Sequence, residues 1–177
     1  LEFRRALFRS VHLAAKAFPR VALYFESSIL TPDLPLLSAA AAVPSRYEQI
    51  GTKLVVESPR GIGIPWQGAA RVNGQPWPLL TGDTLWLPPG AFAIESYDVP
   101  PPLRILDTSA TIGSVSSIPQ GFEVAYTSSS RAFFLLDRPA SVALDGVAQP
   151  RSAEHVLALP RGQHLLQLKA DPQPPTR

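Results

Sequence analysis

Beyond residue 50, apolar and polar positions alternate in short runs that are bounded by proline, glycine, asparagine or aspartate. Because side chains of a β-strand point alternately to opposite faces, this pattern predicts strands with one buried face. The predicted strands are residues 53–57, 69–72, 84–87, 92–97, 122–127, 132–136, 141–144, 155–159 and 163–168. Residues 103–107 fit a strand or a helical turn equally well, and residues 114–117 are predicted to be a loop. Short strands with frequent turn signals are typical of a sandwich or barrel.

The first 48 residues follow a different pattern. Apolar residues at three- and four-residue spacings predict a helix over residues 1–18, and Pro19 ends it. Residues 20–26 are almost continuously apolar, as in a strand buried on both faces, and Thr31 with Pro32 predicts the start of a second helix over residues 34–42. The segment 1–48 is therefore predicted to be an α/β element, which could be the end of a larger α/β or barrel domain.

An internal duplication organises the remainder of the chain. Residues 70–95 align without a gap on residues 142–167, at an offset of 72 positions, and one inserted residue upstream aligns residues 58–60 with 129–131. We therefore predict two β modules, residues 49–102 and 103–170, followed by a disordered tail over residues 171–177.

The identical and conservative positions of the duplication are those that turns and cores require. Asn-Gly and Asp-Gly are the preferred pairs of a two-residue type I′ hairpin, and a later glycine in each copy suits a turn that needs positive φ. These residues are predicted to be structural: Asn73, Gly74, Gly90, Asp145, Gly146 and Gly162.

The second copy carries Val-x-Leu-Asp-Gly, then Pro, then Leu-x-Leu-Pro-x-Gly-x-His-x-Leu-x-Leu, over residues 142–168. This pattern resembles the PEGA-type β-sandwich repeat, and residues 70–95 are a looser copy of it. The resemblance implies Ig-like or PEGA-like β-sandwich modules in an exported or envelope-associated protein. It implies an accessory role, in which the modules bind a glycan or a protein partner or act as a spacer. The expected fold class is thus mainly β with an N-terminal α/β segment.

Glu26 is the candidate catalytic residue. It ends the predicted buried strand, and the carboxyl ends of parallel strands are where active sites of α/β folds assemble. The alternative function is therefore the C-terminal end of a carbohydrate-active hydrolase whose (β/α) barrel is completed upstream. Glycoside hydrolysis needs two carboxyl groups, and Asp33 is the only other acid nearby.

Aromatic residues in the first copy are the candidate ligand-binding residues. Trp86 lies between Leu85 and Leu87, so alternation directs it away from the core. With Trp77 and Tyr97 it could form a flat platform for a sugar ring. The competing interpretation is that Trp86 packs against the other repeat or the α/β segment.

Composition narrows the function classes further. The chain carries 16 basic and 14 acidic residues, without a basic run that contains aromatics, so nucleic acid is not an expected partner. The longest apolar stretch, residues 34–43, is too short to span a bilayer. Cysteine is absent, which excludes disulfides and thiolate metal sites, and no cofactor is expected. Methionine is absent even at position 1, so we expect a processed chain or a piece of a longer protein. The resemblance to PEGA-type repeats implies an extracellular or periplasmic location.

Overall fold

The computed structural model describes residues 44–150 and 155–171, and all of the regular structure in these residues is β. The strands that lie before residue 98 are β1 (Arg46–Ile50), β2 (Lys53–Ser58), β3 (Ile62–Pro65), β4 (Ala69–Val72), β5 (Gln75–Pro76), β6 (Leu80–Thr81), β7 (Thr84–Leu87) and β8 (Gly90–Tyr97). Those that follow are β9 (Ile105–Thr108), β10 (Thr111–Ile118), β11 (Gly121–Ser128), β12 (Ala132–Leu136), β13 (Ala140–Leu144), β14 (Val147–Ala148), β15 (Val156–Leu159) and β16 (Gly162–Ala170). The predicted helices over residues 1–18 and 34–42, the predicted strand over residues 20–26 and residues 172–177 of the predicted tail lie outside the described residues. Residues 46–48, which were predicted to belong to the α/β segment, are part of β1.

The strands form four small antiparallel sheets. Two sheets have five strands, in the orders β1-β2-β8-β4-β5 and β10-β11-β16-β13-β14. Two have three strands, in the orders β3-β7-β6 and β15-β12-β9. The two five-stranded sheets have the same strand order, because β10, β11, β16, β13 and β14 occupy the places of β1, β2, β8, β4 and β5. We call the unit that contains β1–β8 module 1 and the unit that contains β9–β16 module 2.

Within each module the large sheet packs on the small one. Alternation along β2 and β8 directs Val56 and Ile94 inward, and both are fully buried. In module 2, the Tyr126 ring of the large sheet meets the Phe134 ring of the small sheet edge-on, with centroids 5.3 Å apart. Buried side chains of both modules belong to one hydrophobic cluster. Because every regular element of the described residues is a strand, the mainly β prediction is confirmed.

The hairpins of the two copies have matching backbones. Asn73 and Gly74 have φ of 51° and 80°, and Asp145 and Gly146 have φ of 50° and 80°. Positive φ at both positions is what a type I′ turn requires. The side chain at the first turn position also binds the central strand of its sheet. Asn73 Oδ1 accepts from the Ala93 amide of β8, and Asp145 Oδ1 accepts from the Leu165 amide of β16, each at 2.8 Å.

Strand register corrects the predicted alignment upstream of the gapless region. Ser58 lies opposite Gly90, and Ser128 lies opposite Gly162. Ser58 is therefore the counterpart of Ser128, at an offset of 70, and not of Ser129. A sequence alignment favoured the identical serine and arginine, whereas pairing across the sheet determines which residue occupies the position.

The two modules join edge to edge in both layers. In the small-sheet layer, Leu79 and Ile105 form a parallel bridge, and the Ile105 amide donates to the Pro78 carbonyl at 3.0 Å. The Thr81 hydroxyl donates to the Leu106 carbonyl of β9. In the large-sheet layer, the Ser117 amide of β10 donates to Gln75 Oε1 at 3.0 Å. The two small sheets therefore meet at the module boundary through one isolated bridge and two hydrogen bonds.

The connection between the modules favours this fixed arrangement. Pro100, Pro101 and Pro102 restrict the backbone between β8 and β9. Leu103 and Ile105 follow at once and are 0% and 1% exposed. Leu103 and Ile105, which directly follow the prolines of the linker, are therefore buried in the core that the two modules share.

Candidate functional site

The predicted aromatic platform is divided among three places. Trp77 is 4% exposed, and its indole N–H donates to the Trp86 carbonyl at 2.8 Å. Trp86 is 42% exposed, on the outer face of the small sheet. Tyr97 is three residues after the buried Ile94 on β8, so its side chain lies on the opposite, outer face of the large sheet. There the Arg71 guanidinium lies 3.9 Å from the Tyr97 ring centroid. The three rings do not share a surface, because Trp86 and Tyr97 face opposite sides of the module.

Trp86 covers a glycine on the neighbouring strand. Gly63 lies directly opposite Trp86, and a Cβ atom built on Gly63 would lie 2.8 Å from the Trp86 ring. The counterpart pair in module 2 is Phe133 opposite Ala158. In module 1 the aromatic residue is on β7 and the small residue on β3, whereas in module 2 the aromatic residue is on β12, the counterpart of β3, and the small residue is on β15. Each module therefore has one aromatic ring opposite one small residue.

This exchange predicts a favourable coupling between the two positions. Gly63→Phe alone should destabilise the protein, since two large rings then compete for one site. Adding Trp86→Ala should recover about 1 kcal/mol relative to Gly63→Phe, because the pair then matches that of module 2. Urea unfolding of the single and double variants measures the coupling, and purely additive free energies of unfolding would contradict it.

A cleft lies where the two modules meet in the large-sheet layer, with a volume of about 350 Å³. Module 1 supplies one wall, and the β-bulge of β10 supplies the other. Its lining residues are Val72, Asn73, Gln75, Trp77, Pro88, Pro89, Gly90, Ala91, Phe92, Gly113, Ser114 and Val115. Trp77 thus belongs to this cleft through its contact with Phe92, whose ring centroid lies 6.1 Å away. Sequence reasoning missed the cleft, since it forms only when the modules dock.

The matching surface of module 2 is charged. His164 occupies the position of Phe92, and Arg161 occupies that of Pro89. His164 Nδ1 lies 2.7 Å from Asp145 Oδ2, and His164 Nε2 lies 3.0 Å from the Arg161 carbonyl oxygen. Both ring nitrogens therefore face acceptors, and only the imidazolium can donate to both.

These contacts shift two pKa values in opposite directions. The hydrogen bond to Asp145 raises the pKa of His164 above its usual 6.5, and the Arg161 carbonyl raises it further. The Leu165 amide, followed by His164, lowers the pKa of Asp145. Asp145 therefore stays ionised throughout the range in which His164 titrates.

The sign of the pH effect follows from the raised histidine pKa. The stabilisation from protonated His164 is fully present below its unfolded pKa and is lost as pH rises through the folded value. We expect the stability advantage of wild type over His164→Phe to shrink between about pH 5.5 and about pH 8.5. Urea unfolding at both pH values tests this, with Phe92→Leu as a control whose effect should not depend on pH. An advantage that grows with pH would contradict the assignment.

The carboxylate of Asp137 is enclosed, with a side chain that is 7% exposed. One oxygen accepts from the Arg104 amide at 2.8 Å, and the other lies 3.3 Å and 3.2 Å from the guanidinium groups of Arg104 and Arg138. The carboxylate is thereby engaged in holding the start of β9 against the end of β12. Its partners indicate a structural role.

The remaining predictions about chemistry concern other parts of the chain. Glu26 and Asp33 lie outside the described residues. Within residues 44–150 and 155–171, no three His, Asp or Glu side chains are grouped as metal ligands would be. The same residues include no helix with the length and apolar character needed to cross a membrane.

The chain was compared with family models, curated proteins and solved structures. No family model, no curated protein and no solved structure matches the chain.

Proposed function

We propose that this chain is a non-catalytic accessory unit of an exported or envelope-associated protein. Its two modules would be β-sandwiches of the Ig-like or PEGA-like kind, which the turn-and-leucine pattern of both copies favours. The unit holds a neighbouring domain at a fixed distance and offers its surface to a glycan or a protein partner.

The observation that carries this proposal is the double junction between the modules. Contacts at Leu79 with Ile105 and at Gln75 with Ser117 link both layers. A connection in one layer alone would leave a hinge, whereas connections in two layers resist bending in both directions. A rigid unit of this kind suits a spacer, because flexible tandem domains do not maintain a defined separation.

The spacer role predicts one narrow distance between the ends of the unit. Thr52 in the β1–β2 turn and Val147 in β14 are exposed and lie in different modules. The protein has no native cysteine, so Thr52→Cys with Val147→Cys can be spin-labelled selectively. Double electron–electron resonance should give a single narrow distribution.

A destabilised junction provides the matched control. Ile105→Asp places a charge in the shared core, and it should broaden the distribution while circular dichroism still reports β structure. Broad distances in the otherwise unaltered labelled protein would overturn the spacer proposal.

A further inference from the structure

We infer that the cleft between the modules binds a neutral saccharide. This inference rests on the proposed function, because both modules must hold their relative positions for the cleft to exist. It adds a site and a ligand class to that proposal.

The charge of the cleft favours an uncharged ligand. None of its lining residues carries an ionisable side chain. The corresponding surface of module 2 contains Asp145, Arg161 and His164 instead. A charged ligand would leave water for a cleft without a counter-charge, which is unfavourable.

One wall of the cleft is apolar. Trp77 and Phe92 form a tilted aromatic pair, and Pro88 and Pro89 extend this wall. Phe92 is partly exposed, whereas Trp77 supports it from the buried side. An aromatic ring at this position suits the apolar face of a sugar ring.

The opposite wall offers unused hydrogen-bonding groups. β10 is an edge strand, and on the side away from β11 its one hydrogen bond to described residues joins the Ser117 amide to Gln75 Oε1. Among residues 44–150 and 155–171, the Ser114 hydroxyl and Gln75 Nε2 have no hydrogen-bond partner. Donors and acceptors opposite an apolar wall match a ligand that has hydroxyl groups around an apolar face.

The volume limits the length of the ligand. At about 350 Å³ the cleft is near the lower end of ligand-binding pockets, which begin at roughly 300 Å³. It accommodates a short saccharide segment or a chain terminus, while the rest of a polysaccharide extends into solvent. An extended peptide strand is less suitable, because Gln75 contacts Ser117 directly and leaves no space for a strand between β5 and β10.

The test uses soluble probes and the intact chain. Cellohexaose, xylohexaose, mannohexaose and hexa-N-acetylchitohexaose are the neutral probes, trigalacturonate is the charged probe, and a mixed-sequence hexapeptide is the peptide probe. Amide resonances are followed by two-dimensional NMR during titration. We expect at least one neutral probe to shift the amides of Phe92, Gly113 and Ser114 in a saturable manner.

Two variants place the binding in the cleft from opposite walls. Phe92→His introduces the residue that module 2 has at this position, and Ser114→Asp introduces a charge at an exposed position. Each should weaken binding roughly tenfold or more. Trp86→Ala, on the outer face of the small sheet, should leave the affinity unchanged.

Several results would overturn the inference. These are the absence of cleft shifts with every neutral probe, preference for trigalacturonate or the peptide, and loss of binding in Trp86→Ala with retention in Ser114→Asp. Narrow spin-label distances without saccharide binding would remove this site while leaving the spacer proposal intact. Broad distances would count against the spacer proposal itself.

Discussion

Replacing Gly121 with alanine is expected to destabilise the protein strongly. Gly121 begins β11 opposite Lys169, and a Cβ atom there would lie 1.8 Å from the Leu168 carbonyl oxygen and 2.8 Å from its carbonyl carbon. Both atoms belong to the backbone of the central strand β16, so they cannot move without breaking the sheet. We expect a loss of at least about 3 kcal/mol in the free energy of unfolding, the upper range for overpacking.

Gly113 supplies the matched control for this substitution. It lies on the adjacent strand, and a Cβ atom there would approach the Ala125 carbonyl oxygen only to 3.6 Å, an ordinary contact. Gly113→Ala should change the free energy of unfolding by less than about 0.5 kcal/mol, as for most surface substitutions. Urea unfolding followed by circular dichroism compares the two variants. A stable, fully folded Gly121→Ala protein would show that β11 and β16 do not pair in this register.

The second large effect concerns the buried leucines that recur in both copies. Leu85 and Leu157 are 0% and 6% exposed on β7 and β15. Truncation of either to alanine leaves a cavity between the two sheets of its module, with an expected loss of about 2–5 kcal/mol. Because the modules share one core, either variant should lower the stability of the whole described unit.

Trp86 provides a comparison that tests which face of β7 is buried, since it is adjacent to Leu85 and has a larger side chain. It is 42% exposed, so much of its surface is in water before and after folding. Trp86→Ala should therefore cost less than Leu85→Ala, at roughly 1 kcal/mol. Thermal and urea unfolding of the variants provide the comparison. A larger loss for Trp86→Ala than for Leu85→Ala would mean that the strand presents its other face to the core.

Much of the strand framework could be predicted because alternation and turn residues agree in these segments. The bounds 69–72, 84–87 and 132–136 coincide with β4, β7 and β12. In each of these strands the buried residues alternate with more exposed ones. Short flanking turns rich in glycine and proline leave little choice of where such strands begin and end.

Besides the two-residue strands β5, β6 and β14, three longer strands escaped prediction for physical reasons. β1 is exposed at all of its positions and therefore has no alternation to detect. β3 contains a glycine and a proline, which are rare in strands, and it depends on Trp86 to cover Gly63. Residues 114–117 were predicted to be a loop, but they belong to β10. Their serines lie on an edge strand whose burial does not alternate regularly and whose register shifts between Ile112 and Ser114, so the strand has no simple pattern to detect.

In the candidate site, too, the residues within regular strands could be predicted and the others could not. Alternation correctly indicates that Trp86 points outward, because the residue lies within a regular strand. Trp77 lies between β5 and β6, where alternation does not apply, and its burial depends on a hydrogen bond to Trp86 and contact with Phe92. The cleft combines residues of two modules, so it depends on docking that no local pattern specifies.

The amide hydrogen exchange of Ile105 tests the double junction most directly. This amide donates to Pro78 of module 1 rather than to its neighbours in module 2, so its protection requires the modules to remain docked. NMR should show exchange as slow as that of the Leu166 amide in the core of module 2. Exchange as fast as that of the exposed Thr52 amide would show that the two modules are not joined as described.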